Sequence, residues 1–434
     1  MSLRKRGGDA TPEFAMDFIE IDRLVKPPQS PEERRLLHHF VTATSSTMVP
    51  VDGLHNPWKS IYPLIASRSA TSPGVRSLHH ALLAQSAYHL INLLGKDAAC
   101  PEKTRAGYHY GRALRELRRN LRTSTVYEES LAALLAIPLA EHVFRGDADG
   151  WHVHYAAAIE FVCQHAPSRP WTKSIEAWTV SQSFALEYLI LQTSKGCPSS
   201  SSRIPTSMHN VLDELLDKPS FGYTHGGTGH IFRMIYQIRC LEEDMYQEHP
   251  QGFTGVMNAA MQTKLSAIIR QLEMPIEDQV DIYVRHQETY GIEISRHMRT
   301  SIHLHIELFT VGVELYLLST VLRCPPCSVH EKVDKVLAAT ADYVDLQQRG
   351  SFSIWPVFMA ATQAYTPEAQ SLATYCLQSA DDTGAANRRD VHRLVRQVWF
   401  GRQRLAETLR CDPGGLFIDW REAMKGLGLN VLLL

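Results

Sequence analysis

The sequence predicts an all-α fold, a large multi-helix body, and three observations carry that reading. Apolar residues recur at three- and four-residue spacing in nearly every long segment, no convincing alternating strand interrupts them, and the joints between them are short and contain Pro or Gly. Hydrophobic residues make up 44% of the 434, enough for a sizeable core.

Taken in order, residues 1–30 read as a disordered leader and 31–434 as the helical body. Helical patterns are expected over about 31–44 and 78–94. Next comes "PEKTRAGYHYGRALRELRRNLR", with Pro101 in its first turn and Ala106, Tyr110, Ala113, Leu114, Leu117 and Leu121 along one face. Patterns over about 126–144, 151–165 and 175–192 follow. The low-complexity stretch "SKGCPSSSSRIPTS", 194–207, gains little from burial and is expected to be a mobile surface loop. Beyond it, helices are expected over about 208–216, 229–248, 255–272, 301–322, 329–346, 356–365, 367–379, 387–409 and 420–427. No repeat of fixed period is found, which disfavours a regular solenoid.

Charge excludes a strong overall field. Lys plus Arg is 44 and Asp plus Glu is 46, so nothing draws the whole chain toward nucleic acid or an anionic membrane. The arginines at 105, 112, 115, 118, 119 and 122 lie on the outer face of an amphipathic helix and read as a solvated surface. The start, "MSLRKRGGDATPEF", has no apolar signal segment, and the chain has no run of roughly 18 uncharged apolar residues. The expectation is a protein of the nucleus or cytoplasm with no membrane contact, whose eight scattered cysteines are reduced.

The clusters that catch the eye for chemistry have plainer readings. In "GDADGWHVHYAAAIEFV", Asp147 or Asp149 is expected to cap a helix that Trp151 begins, with Gly150 at the turn and Tyr155, Ile159 and Val162 on one face. His152 and His154 are two apart and diverge by about 200°, poor geometry for one metal. The pairs His79-His80 and His303-x-His305 share that fault, HExxH is absent, and Glu293 with His297 is half a site. Cys324-Pro-Pro-Cys327 reads as an interhelical turn, and "HGGTGH", 225–230, as a flexible loop without a Walker lysine. No GxSxG elbow is present. No metal and no cofactor are expected, and no catalytic residue is identified.

The segment "SIHLHIELFTVGVELYLLSTVL", 301–322, is apolar on almost every face and is expected to be enclosed by other helices. That places His303, His305, Glu307, Thr310 and Glu314 where buried polar atoms need partners. A ligand pocket between helices needs apolar walls with a few fixed polar groups. His305, Glu314, Tyr316 and Trp355 are the candidate ligand-binding wall, with Pro356 and Phe358 as further apolar surface.

The order of several stretches is distinctive. "LLHHFVTATSSTMV", "NPWKSIYPLIA" and "LHHALLAQSAYHLINL", then "GDADGWHVHYAAAIEFV", "SIWPVFMAATQAYTPEAQ", "NRRDVHRLVRQVWFGR" and the terminal "DWREAMKGLGLNVLLL", together resemble the fungal-specific transcription factor domain of zinc-cluster regulators. The branch is the one that includes arginine-metabolism regulators, and the likeness covers roughly 31–434. The resemblance implies a helical regulatory domain that makes dimer or partner contacts and, in characterised relatives, binds an apolar small molecule inside. It also implies an upstream module with six cysteines and two zinc ions, and no six-cysteine cluster occurs in this chain. Direct, sequence-specific DNA binding by this chain is therefore not expected.

Two function classes follow. The first is a transcription-factor-like regulatory domain that senses a small apolar metabolite, a protein partner or its own copy. The alternative is a co-opted enzyme of fungal specialised metabolism, an isomerase, dehydratase or cyclase using an enclosed pocket and one acid or base without a cofactor.

Overall fold

The computed structural model describes residues 30–52, 56–94, 100–123, 126–147, 150–195, 203–248, 257–289, 291–346 and 351–433. Among the described residues there are 17 α-helices and no strand, so the all-α expectation holds.

The chain enters the body at a capping box. Glu33 N donates to Ser30 Oγ at 3.2 Å and Ser30 N donates to Glu33 Oε2 at 3.1 Å, satisfying two otherwise orphaned amides at the start of α1 (Pro31–Thr42). The short α2 (Ile61–Ser67) follows, then α3 (Pro73–Leu94), whose low amphipathicity fits its place among α1, α2, α4 (Cys100–Thr123) and α5 (Tyr127–Pro138). On α4 the expected inner face is buried at Ala106, Ala113 and Leu117, whereas Leu121 is 47% exposed near the helix end.

α5 carries Pro138 and continues as a π-helical turn, Leu139–Phe144. A wider turn of this kind re-aims side chains, and here it buries His142. α6 (Trp151–His165) and α7 (Ile175–Ser194) pack against α5 or its π turn. At the start of α6 Gly150 is the N-cap, Asp147 pairs with Arg145 at 3.2 Å, and Asp149, the other expected capping residue, lies outside the described residues. A Cβ on residue 150 would fall 2.1 Å from Glu141 Oε1, which explains a glycine there.

The expected loop 194–207 is described only at its ends. Ser194 closes α7, Ile204 is buried with its N–H donating to Glu243 Oε1 at 3.1 Å, and Thr206 opens α8 (Thr206–Leu216). Nearly all of the expected leader, 1–30, also lies outside the described residues. The "HGGTGH" segment is a packed turn rather than a loose loop. Gly226 is buried in a left-handed conformation, φ 70°, and a Cβ there would meet Pro50 at 2.5 Å and His305 at 2.8 Å.

α9 (Gly229–Glu248), α10 (Ala259–Leu272), α11 (Ile276–Thr289) and α12 (Arg296–Leu315) come next. α12 runs on as a second π turn, Tyr316–Val321, and the helix Arg296–Val321 is long and apolar enough to cross a membrane by length and composition only. It is instead mostly buried, packed against α9, α11, α13 (His330–Asp345) and α14 (Ile354–Gln363). α12 and α14 cross closely at Gly312, where a Cβ would stand 2.7 Å from Pro356 Cβ.

α15 (Pro367–Asp381), α16 (Arg388–Leu409) and α17 (Trp420–Gly426) complete the body. After α17 the chain turns inward, and Leu429, Val431, Leu432 and Leu433 are buried. Three side chains hold this terminal segment. Trp151 Nε1 donates to Asn430 O at 3.1 Å, Asn387 Nδ2 donates to Leu432 O at 3.1 Å, and Leu432 N donates to His142 Nε2 at 3.0 Å.

Candidate functional site

The four residues singled out on α12 and α14 sit in two environments. His305, Tyr316 and Trp355 are fully buried, with Phe309 between them: its ring stacks on Trp355 at 5.6 Å and lies 5.7 Å from His305. Trp355 also meets Tyr316 edge to face at 6.0 Å. Glu314 is on another face, with its side chain 22% exposed and ion-paired to Lys332. His303 and Glu307 share that outer face, pairing with Glu277 at 3.0 Å and Lys335 at 3.1 Å.

Each buried member has a protein partner. His305 Nδ1–H donates to Gly226 O at 2.8 Å and its Nε2 accepts from Ser353 N at 3.2 Å, which fixes the neutral tautomer. Burial lowers its pKa to about 4. Trp355 Nε1 donates to Thr193 Oγ1 at 2.9 Å and Tyr316 OH to Glu242 Oε2 at 3.1 Å.

Tyr316 leads into a buried ionic network that composition did not reveal. Glu242 on α9 accepts from Arg239 Nη1 at 2.9 Å and from Arg421 Nη1 of α17 at 2.7 Å, and all three side chains are almost wholly buried. Burial opposes the charge on Arg421, but the Glu242 and Asp419 carboxylates outweigh it and raise its pKa. Trp420 Nε1 donates to Thr320 Oγ1 at 3.2 Å, so α17 is tied to the π turn of α12 directly there and through Glu242, which Arg421 and Tyr316 share. Ion pairs of this kind give little net stability against a hydrophobic replacement, but breaking one strands a buried charge.

Arg421 Nη1 also donates to Lys195 O at 3.2 Å, and Lys195 lines a cleft of about 280 Å³. α6 supplies one wall with Trp151, Tyr155 and Ile159, and His152 stands exposed at the rim. The end of α7 supplies Leu191, Ser194 and Lys195, and the opposite wall is Met424 of α17 with Asn430 and Val431 of the terminal segment. Two polar groups in it lack partners among the described residues. Ser194 Oγ is buried without a hydrogen bond, and Lys195, a half-buried lysine, has no ion pair. Burial, with Arg239 adding to it, lowers the Lys195 pKa, while Glu243 acts the other way. The cleft lining is therefore mostly apolar, with the Lys195 ammonium and the Ser194 hydroxyl among its few polar groups.

A family model described as the fungal specific transcription factor domain matches residues 35–434. The chain belongs to that family. No curated protein and no solved structure matches it. The match spans the α-helices from α1 onward, and in this transcription factor domain the stretch "GDADGWHVHYAAAIEFV" contributes Trp151, His152, Tyr155 and Ile159 to the cleft, so the landmark motif and the cavity coincide. None of the four residues singled out from the sequence lines this cleft. Its wall comes from positions 151–159, 191–195 and 424–431, and the only local signal was the mixture of polar and apolar residues at the start of α6.

A second, shallower groove of about 540 Å³ lies between α15 and α16 of the transcription factor domain, lined by Arg389, Arg393, Arg396, Gln397 and Phe400. His392 Nε2 sits 3.2 Å from Asp381 Oδ2 there, at ion-pair distance without hydrogen-bond alignment.

Proposed function

We propose that this regulatory domain is the sensing part of a fungal transcription regulator, acting in the nucleus, and that the cleft beside α17 takes a small apolar molecule with an anionic head. The observation that supports this reading is Lys195: among the described residues its ammonium has no ion pair, and it lines a mostly apolar slot beside the Ser194 hydroxyl, which has no hydrogen-bond partner among them. The ligand's tail packs on Trp151, Ile159, Leu191 and Met424, and its head meets Lys195 and Ser194. Occupation bears directly on Met424 and Asn430, and through Lys195 on Arg421, so the position of α17 and the terminal segment depends on the ligand. To act as a switch the ligand must bind two arrangements of that segment unequally, by about 1.4 kcal/mol for each tenfold difference.

Calorimetric titration with octanoate, and with 1-octanol as its uncharged counterpart, tests the proposal. Octanoate is expected to bind at one site, with Lys195→Met weakening it about 10- to 100-fold, the worth of a charge-assisted hydrogen bond. Octanol binding should be little changed by that substitution. Equal octanoate affinity in the wild type and Lys195→Met, with a folded variant, overturns the assignment.

A further inference from the structure

A different part of the molecule brings metal-ligating groups together from three helices. His80 on α3 and His109 on α4 face each other with Nδ1 atoms 3.0 Å apart and rings 5.2 Å apart, tilted by 28°. Both residues are more than nine-tenths buried. Glu33, in the first turn of α1, brings a carboxylate oxygen close enough that one ligand atom from each of the three residues lies within 4.8 Å of the others. Spacing along the chain hides this group, because the residues come from positions 33, 80 and 109; the expectation of no metal weighed only residues close in sequence.

Two facing ring nitrogens at that separation are matched either by an N–H···N hydrogen bond between neutral imidazoles or by a metal ion between them. A single proton bridges the two imidazoles and leaves the carboxylate outside. A divalent ion satisfies all three acceptors at once. Zinc holds imidazole nitrogen at about 2.0–2.1 Å and carboxylate oxygen at about 2.0–2.2 Å, so tetrahedral ligand atoms stand roughly 3.3 Å apart. The Nδ1 atoms at 3.0 Å are near that value, and 4.8 Å bounds the separations among the three ligand atoms. Arg112 and Arg115 add positive charge near His80, and Glu32 and Glu33 counter it from the side of His109.

We infer that Glu33, His80 and His109 form a divalent-cation site of the zinc class, with water in the fourth position, fastening α1 to the α3–α4 pair. It is separate from the cleft, so its failure leaves the proposed sensing function untouched.

The test is cobalt titration of the whole chain after chelator treatment, followed by zinc displacement. One Co²⁺ per chain is expected, with the visible ligand-field absorption of a low-coordinate site, together with a zinc-dependent rise in Tm. His109→Gln should abolish the absorption. Glu33→Gln should weaken cobalt at least tenfold; because Gln also completes a capping box, this variant keeps α1 and isolates the charge even where His109→Gln fails to fold. No such absorption in the wild type, or equal cobalt affinity and an equal zinc-induced Tm rise in Glu33→Gln, overturns the site and leaves a proton shared between two core histidines.

Discussion

At His305 a neutral imidazole joins three parts of the chain: its own helix α12, the Gly226 turn and Ser353 at the start of α14. In the unfolded chain a histidine takes up a proton near pH 6.5, whereas burial holds this one near pH 4. Between those values the unfolded state binds more protons, so stability rises with pH there and is lost on acidification. The His305 contribution to that loss is about 2 kcal/mol between pH 7.5 and 5. Denaturant unfolding at the two pH values checks it: His305→Asn, which keeps a donor near Nδ1, should be less stable at pH 7.5 but lose about 2 kcal/mol less on acidification. Equal losses would mean that the imidazole does not stay neutral in the folded protein. Residue identity alone suggested that His305 is interior, but not which atoms satisfy it, because Gly226 and Ser353 are 79 and 48 positions away. The pairing of His80 with His109 was hidden for the same reason.

Among the elements, the long amphipathic patterns were legible and the short or special ones were not. Trp151–His165 and Gly229–Glu248 are as the periodicity predicts, since several turns of apolar residues specify which face is inward. α2 escaped notice because it has seven residues and contains Pro63, and α11 because its apolar stripe reduces to Val280, Tyr283 and Val284 among charged neighbours. The π turns at 139–144 and 316–321 carry no periodicity signal, yet they bury His142 and Tyr316, the contacts of the terminal segment and of the ionic network. α17 is where that matters most. Arg421→Met removes the charge that Glu242 shares with it and should cost about 3–5 kcal/mol, read as a shift of the denaturant midpoint. A cost below about 1 kcal/mol would show that Arg239 alone suffices for Glu242 and that α17 is held by packing instead.

For the molecule as a whole, the all-α body and its buried central helix followed from composition and period, because an apolar rod such as 301–322 can only be stable when other helices cover it. The cleft did not follow. It is assembled from the starts and ends of elements and from a terminal segment whose inward path no local pattern encodes, so Lys195 and Trp151 come to line one cleft only after the chain has closed on itself. This arrangement makes residues 424–433 both a wall of the cleft and part of the core. A ligand that fills the cleft therefore acts on the same contacts that hold α17 against α12.

Hydrogen exchange of the whole chain, with and without saturating octanoate, tests that connection most directly. The account predicts slower exchange on binding in two separated regions, the start of α6 at 151–159 and the stretch 420–433, with the outer helices α4 and α10 unchanged. Protection confined to 151–159, or no change in either region while calorimetry shows octanoate bound, would contradict it.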